Sequence, residues 1–190
     1  MFILYAIVIG FGIGFLCGGR AAGLGTLQFR LGWLAVAGFA AQVVLFSAPV
    51  TERIGALGAP LYVLSTAIVF VVLLANFRIP GLPVVALGAA SNLAAIVANG
   101  GYMPASEAAL IAAGKIPASG YSNSTVLPDP LLGPLTDIFA LPTWLPFTNV
   151  FSVGDVLIAV GIAIAVAVAM RRPPPDETLN RTLDRTLDPT

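Results

Sequence analysis

Histidine is missing from the 190 residues, cysteine occurs once, and only 9% of the chain is charged. Each scarcity excludes something. Without histidine, haem ligation, catalytic zinc and a Ser-His-Asp triad lose their main residue. Cys17 alone can form neither an intrachain disulfide nor a thiolate cluster. It follows Leu16, and no basic residue precedes the apolar run, so it lacks the context of a cleaved lipoprotein signal. Cys17 reads as a small apolar residue in a helix. No metal and no cofactor is expected. The nine basic and nine acidic residues cancel, which argues against nucleic acid as a partner. A soluble domain carries roughly 25% charged residues. A surface with so few charges needs lipid as its solvent.

Apolar residues are what the chain has in excess, 58% of the total. A spanning helix takes about 20 of them in a run. Five segments qualify: Phe2 to Cys17, Leu31 to Ala48, Ala59 to Phe77, Leu82 to Asn99 and Ser152 to Met170. None contains Lys or Arg. The expected fold is all-α, a polytopic membrane bundle of five transmembrane helices. The bundle would occupy residues 1–170, including a Pro-rich outer segment at 100–151. The remainder, 171–190, reads as a disordered cytoplasmic tail.

Basic residues give the direction, because they favour the cytoplasmic loops. Arg20 and Arg30 lie between the first two segments, Arg78 between the third and fourth, and Arg171 and Arg172 after the fifth. The other side has only Arg53 and Lys115. The expectation is a multi-pass protein of the cell membrane, N-terminus outside and C-terminus cytoplasmic.

The segment from Gly100 to Phe151 holds seven of the fifteen prolines, so it is no single helix. Ser106-Glu107 leads an Ala-rich stretch that stops at Gly114, as a short helix would. Leu131 to Phe147 contains Leu135, Ile138, Phe139, Trp144 and Phe147. It must cover apolar surface or lie at headgroup level. A re-entrant loop is the alternative, tolerable only where protein shelters its backbone. The tail repeats Thr-Leu-Asp/Asn-Arg, with Leu179, Leu183 and Leu187 in phase on one helix face, and is too short and polar to fold alone. Sequons occur at Asn123 and Asn180.

Polar groups at membrane depth invite a role. Gln42, Thr66 and Asn92 fall at nearly one depth from the cytoplasmic ends. They read as packing hydrogen bonds, or as the lining of a small polar cavity. Ser152-Val153-Gly154-Asp155 has the form of a capping box, and a cation or proton site is the other reading of Asp155. Gly10, Gly14 and Gly18 form a doubled GxxxG, and Gly88 shares a face with Asn92 and Asn99. Both are helix-packing features. If Asn99 and Asp155 both sit at the outer boundary, the amide can donate to the carboxylate.

Two patches carry a resemblance. Asn99-Gly100-Gly101-Tyr102-Met103-Pro104 follows a span. Leu135-Thr136-Asp137-Ile138-Phe139-Ala140-Leu141-Pro142 leads to Phe151-Ser152-Val153-Gly154-Asp155, which opens the last one. The chain resembles a family of small bacterial integral membrane proteins of unknown function. The resemblance implies a bacterial cell membrane, no particular reaction, and an outer location for both patches. A candidate outer site then comprises Asn99, Met103, Asp137, Ser152 and Asp155.

Three functions are open, in this order. The first is a structural or interaction subunit of the membrane, whose partner is another membrane protein or a second copy. The second is a binder or carrier of a lipid or small molecule. The third is an outer-leaflet enzyme using carboxylates such as Asp129, Asp137 or Asp155. Asp129 lies between two prolines and reads better as a turn residue. The lack of histidine makes a non-enzyme the favoured reading.

Overall fold

The computed structural model describes residues 2–115 and 124–173. The tail repeat and the two sequon asparagines, Asn123 and Asn180, lie outside the described residues. Five long helices dominate: α1 (Phe2–Leu16), α2 (Gly32–Leu45), α4 (Gly58–Ala75), α5 (Leu82–Ala98) and α7 (Val153–Met170). Short helical turns α3 (Ala48–Thr51) and α6 (Glu107–Ala112) lie between them. Four two-residue strands complete the set: β1 (Met103–Pro104), β2 (Ser124–Thr125), β3 (Phe139–Ala140) and β4 (Val150–Phe151).

Among the described residues, two helices are long and apolar enough to cross a membrane, Gly55–Ala75 and Val153–Met170. The other three apolar helices are shorter. α2 ends at Leu45 because Phe46 and Ser47 leave the helix, and α3 restarts it around Pro49. Its 14 residues reach about 21 Å at standard rise, under the roughly 30 Å of a bilayer core.

The helices form a row in the order α1, α7, α5, α4, α2. The last helix in the chain inserts between the first and the fourth long one. Glycine makes that insertion possible. Gly81 and Gly88 of α5 meet Gly161 and Gly154 of α7 in antiparallel register. A Cβ at Gly161 would stand 2.6 Å from the Gly81 carbonyl oxygen. On its other side α7 runs parallel to α1, with Gly10 against Ala163 and Val166 and Gly14 against Met170. Gly18 does not belong to this packing face. It lies past the end of α1 at φ +75 with open space around its Cβ position, and Gly19 takes its place against Met170. The GxxxG spacing fails there because the helix has already ended.

Neighbouring helices along the chain alternate in direction, so the loops segregate. Arg20, Arg30, Arg78, Arg171 and Arg172 fall at one end of the row, and residues 100–115 and 124–151 fall at the other. At the basic end, the Arg20 N–H donates to the Met170 carbonyl at 2.7 Å, satisfying a terminal acceptor of α7.

The capped end is built from a folded segment with its own core. Ala105, Ala109, Leu110, Ala113 and Val150 pack together, with Ala140 against them. β1 pairs parallel with β2, and β3 pairs antiparallel with β4. Ser106 caps α6, and Gly114 stops it at φ +65. A second cluster, Ala95, Ile96 and Met103 with Tyr62, Val63 and Leu135, joins the cap to α4 and α5. The Tyr5 hydroxyl donates to the Pro146 carbonyl, tying the start of α1 to the same cap. Leu131 to Phe147 buries little of its large side chains. Leu135 points inward, while Trp144 is 79% exposed.

The same asparagine clamp occurs at both ends. Asn76 terminates α4 and Asn99 terminates α5, with nearly equal dihedrals (φ −113 and −106). Each amide nitrogen donates to the carbonyl four residues back, Val72 or Ala95, at 2.8 Å. Each amide group also pairs with both backbone groups of one distant residue. Asn76 holds Arg30 (2.7 and 2.8 Å) and Asn99 holds Leu131 (2.8 and 2.9 Å). The residue after each clamped position, Leu31 and Leu132, is left-handed, at φ 57 and 53. That conformation costs a non-glycine residue roughly 1–2 kcal/mol. The paired hydrogen bonds, about 0.5–1.5 kcal/mol apiece, offset it. Sequence marks both halves: Leu-Ala-Asn against Val-Ala-Asn, and Leu31-Gly32 against Leu132-Gly133.

Candidate functional site beneath the cap

The densest polar constellation lies where α7 begins. Ser152, fully buried, accepts a hydrogen bond from the Asp155 N–H at 3.1 Å. Asp155 Oδ2 accepts one from the Ser152 N–H at 3.0 Å. That is the reciprocal capping box, with the carboxylate at the positive end of the helix dipole. A third residue closes the arrangement into a ring. Asn92 Nδ2 donates to Asp155 Oδ1 at 2.9 Å, and the Ser152 hydroxyl donates to Asn92 Oδ1 at 2.8 Å. Both carboxylate oxygens are occupied from within the protein. Gly154 makes room, since a Cβ there would strike the Asn92 amide. Gly88, one turn before Asn92, lets the two backbones approach.

This placement corrects two expectations. Asn99 does not pair with Asp155, because Asn92 fills that role and Asn99 is engaged with Leu131. Nor does Asn92 join Gln42 and Thr66. Those two meet across α2 and α4, with Gln42 Nε2 donating to Thr66 Oγ1 at 3.2 Å and to Ser65 Oγ at 3.3 Å. Equal depth did not bring the third residue over, because α5 and α2 lie on opposite sides of α4. Met103 is buried in the join between cap and bundle. Asp137 is buried too, and its backbone bridges Pro104 and Ser106. The five outer candidates therefore divide. Ser152 and Asp155 form the ring with Asn92, while Asn99, Met103 and Asp137 hold the cap.

Sequence reading missed Ser65, Asn76, Gly81, Gly154 and Gly161. The glycines carried a partial signal, a spacing of seven on each of two apolar segments, which marks a packing face on each without saying which faces meet. Asn76 carried one too, as the twin of Asn99. Ser65 had none, being one of two adjacent hydroxyls.

Two cavities accompany the site. One, of about 420 Å³, lies within the cap between Ala105, Ser106, Glu107, Pro128, Pro130 and Ile138. The other, about 520 Å³, is an almost wholly apolar groove between α2 and α4. Among the described residues, no three His, Cys, Asp or Glu side chains gather as a metal site.

A family of unknown function, DUF5317, matches residues 26–167. The chain belongs to that family. The matched region contains both asparagine clamps, the Asn92–Ser152–Asp155 ring and the whole cap, and it begins after α1. This agrees with the resemblance to a family without an assigned activity. No curated protein and no solved structure matches the chain.

Proposed function

We propose that the chain is a five-span protein of the cell membrane, N-terminus outside and C-terminus cytoplasmic, that serves as a structural or interaction subunit. The observation that carries the membrane reading is the inverted distribution of side chains. The spanning windows of α4 and α7 are only 17% and 33% buried, whereas a core helix of a soluble protein is mostly buried. Glycines and amides face inward, and Val8, Leu16, Val36, Val43 and Leu64 face outward. Patches of that size on a soluble monomer would be an aggregation liability. In lipid they are solvated, and small residues at the interfaces let the backbones pack. The three short helices reach across with their flanking turns: residues 2–19 with α1, 29–54 with α2 and α3, and 79–101 with α5.

The subunit reading rests on two features. Three sets of polar groups hold the bundle together: Gln42 on Ser65 and Thr66, Asn76 on Arg30, and Asp155 on Ser152 and Asn92. The row is also open at both ends, with α1 and α2 each packed on one long neighbour and presenting their far faces to the membrane. Those faces suit a membrane-protein partner or a second copy. Extraction in a mild detergent followed by mass spectrometry of the intact assembly tests it. A stoichiometric second subunit, or a dimer, is the expected result. A lone monomer lacking bound protein at every detergent concentration would contradict it. A second reading, lipid binding, is favoured by the apolar groove between α2 and α4.

A further inference from the structure

Phe-Arg occurs twice in the chain, at Phe29-Arg30 and at Phe77-Arg78. The structure brings the two copies to one clamp. Asn76, buried at the end of α4, immediately precedes the second copy and grips the backbone of the first. Its Oδ1 accepts from the Arg30 N–H at 2.7 Å, and its Nδ2 donates to the Arg30 carbonyl at 2.8 Å. The turn that carries Arg78 is closed by the Ile79 N–H, which donates to the Asn76 carbonyl at 2.9 Å. Both dipeptides are thus held as ordered backbone where α2 begins and α4 ends. All four of their side chains are nonetheless exposed, Phe29 at 49% and Phe77 at 51%. Trp33, in the first turn of α2, is 69% exposed.

Charge at this end has one sign. It gathers five arginines, while the carboxylates among the described residues, Glu52, Glu107, Asp129, Asp137 and Asp155, all belong to the capped end. No described carboxylate stands where it can neutralise Arg30 or Arg78. In water the rings would be bare apolar surface on ordered turns. An amphiphile complements both halves of each dipeptide. Guanidinium presents a fork of donors to phosphate, and its aliphatic stem lets the charge reach the headgroups from an apolar footing. A soluble polyanion offers nothing to the rings. A zwitterionic aminophospholipid brings an ammonium that the arginines repel and that no carboxylate here receives.

We infer that the two Phe-Arg turns form a docking surface for anionic phospholipid of the leaflet they face. Arg30 and Arg78 take the phosphates, and Phe29 and Phe77 lie against the upper acyl chains. The inference rests on the membrane reading of the chain and not on its orientation. In the N-out arrangement the leaflet is the cytoplasmic one.

The test is native mass spectrometry of the full chain in mild detergent, with synthetic phosphatidylglycerol and phosphatidylethanolamine of equal chain length. The wild type should retain phosphatidylglycerol in preference. Arg30→Gln and Arg78→Gln should each lower that preference about fivefold, and Arg78→Lys should keep most of it. Arg30 enters the clamp through its backbone, so its substitution leaves the clamp in place. Phe29→Ser, or Phe77→Ser if the first variant does not fold, should weaken phosphatidylglycerol retention. Arg53→Gln removes the same charge at the capped end and should leave the preference unchanged. Equal retention of both lipids by the wild type would mean that other counter-charges, the tail carboxylates included, satisfy the arginines, and would overturn the surface. So would a preference that Arg53→Gln lowers as much as Arg30→Gln. Alkaline extraction of membranes separates this failure from that of the membrane reading. A chain that stays in the membrane pellet without lipid preference loses the docking surface alone. A chain released to the supernatant loses the membrane reading, and the surface with it.

Discussion

Asn92 joins α5 to α7 by using both ends of one amide, as donor to Asp155 and acceptor from Ser152. The three residues have different tolerances. An asparagine at 155 keeps the shape, and rotation of the Asn92 amide re-pairs the donors and acceptors. Asp155→Asn is therefore expected to keep most of the stability. Ser152→Ala removes the cap and is expected to cost about 0.5–2 kcal/mol. Asn92→Leu leaves the Ser152 hydroxyl hydrogen without its acceptor and one carboxylate oxygen without its donor, a cost of about 1–3 kcal/mol. Thermal unfolding in detergent orders the three, and a more damaging Asp155→Asn than Asn92→Leu would give Asp155 a role other than cap. The capping box was legible from four consecutive residues. The third member was not, because Asn92 is 60 positions from Ser152 and competed with Asn99 on the same helix face. Nothing local distinguishes the two amides. The depth at which α5 crosses α7 does.

Between elements, glycine sets the order of packing. Gly81, Gly88, Gly154 and Gly161 let α7 slot against α5, and Gly10, Gly14 and Gly19 serve its other side. Gly161→Val should unfold the bundle or lower its midpoint sharply, since the new Cβ meets Gly81 backbone and Val85. Gly12, on the same helix as Gly10, has open space at its Cβ. Gly12→Ala should be neutral, or stabilising by up to about 0.5–1 kcal/mol from lower backbone entropy. Equal damage from the two substitutions would mean that glycine spacing does not set the packing. The asparagine clamps act at the same scale. Asn99→Ala should free the Leu131 turn and speed outside proteolysis across residues 131–147, while leaving the bundle melting point close to wild type. Unchanged cutting would show that the Met103 cluster alone retains the cap. The existence of the long helices could be read from apolar runs, and their breaks from Gly18-Gly19 and Pro80-Gly81. Their neighbours could not, because every apolar face looks alike without knowing which glycines meet.

At the scale of the molecule, alternation of helix direction gathers five arginines at one end and the folded cap at the other. That separation follows from connectivity and packing, not from the charges, yet it coincides with what a membrane would select. Of the five expected spans, two correspond to helices long and apolar enough to cross a membrane and three to shorter apolar helices. The sequence windows overran α2 because Phe46, Ser47 and Ala48 are apolar or small enough to extend the run while the backbone turns around Pro49. The row arrangement, with the last helix in the middle, had no local trace at all.

Orientation across the membrane is the claim on which the rest depends, and single-cysteine labelling in intact cells measures it. In a Cys17→Ala background, Lys115→Cys stands on the cap side and Arg78→Cys on the basic side, and Thr178→Cys probes the tail that the proposed orientation puts in the cytoplasm. An impermeant maleimide should label Lys115→Cys directly, and the other two only after the membrane is permeabilised. Labelling of Arg78→Cys or Thr178→Cys from outside, with Lys115→Cys protected, would contradict the account.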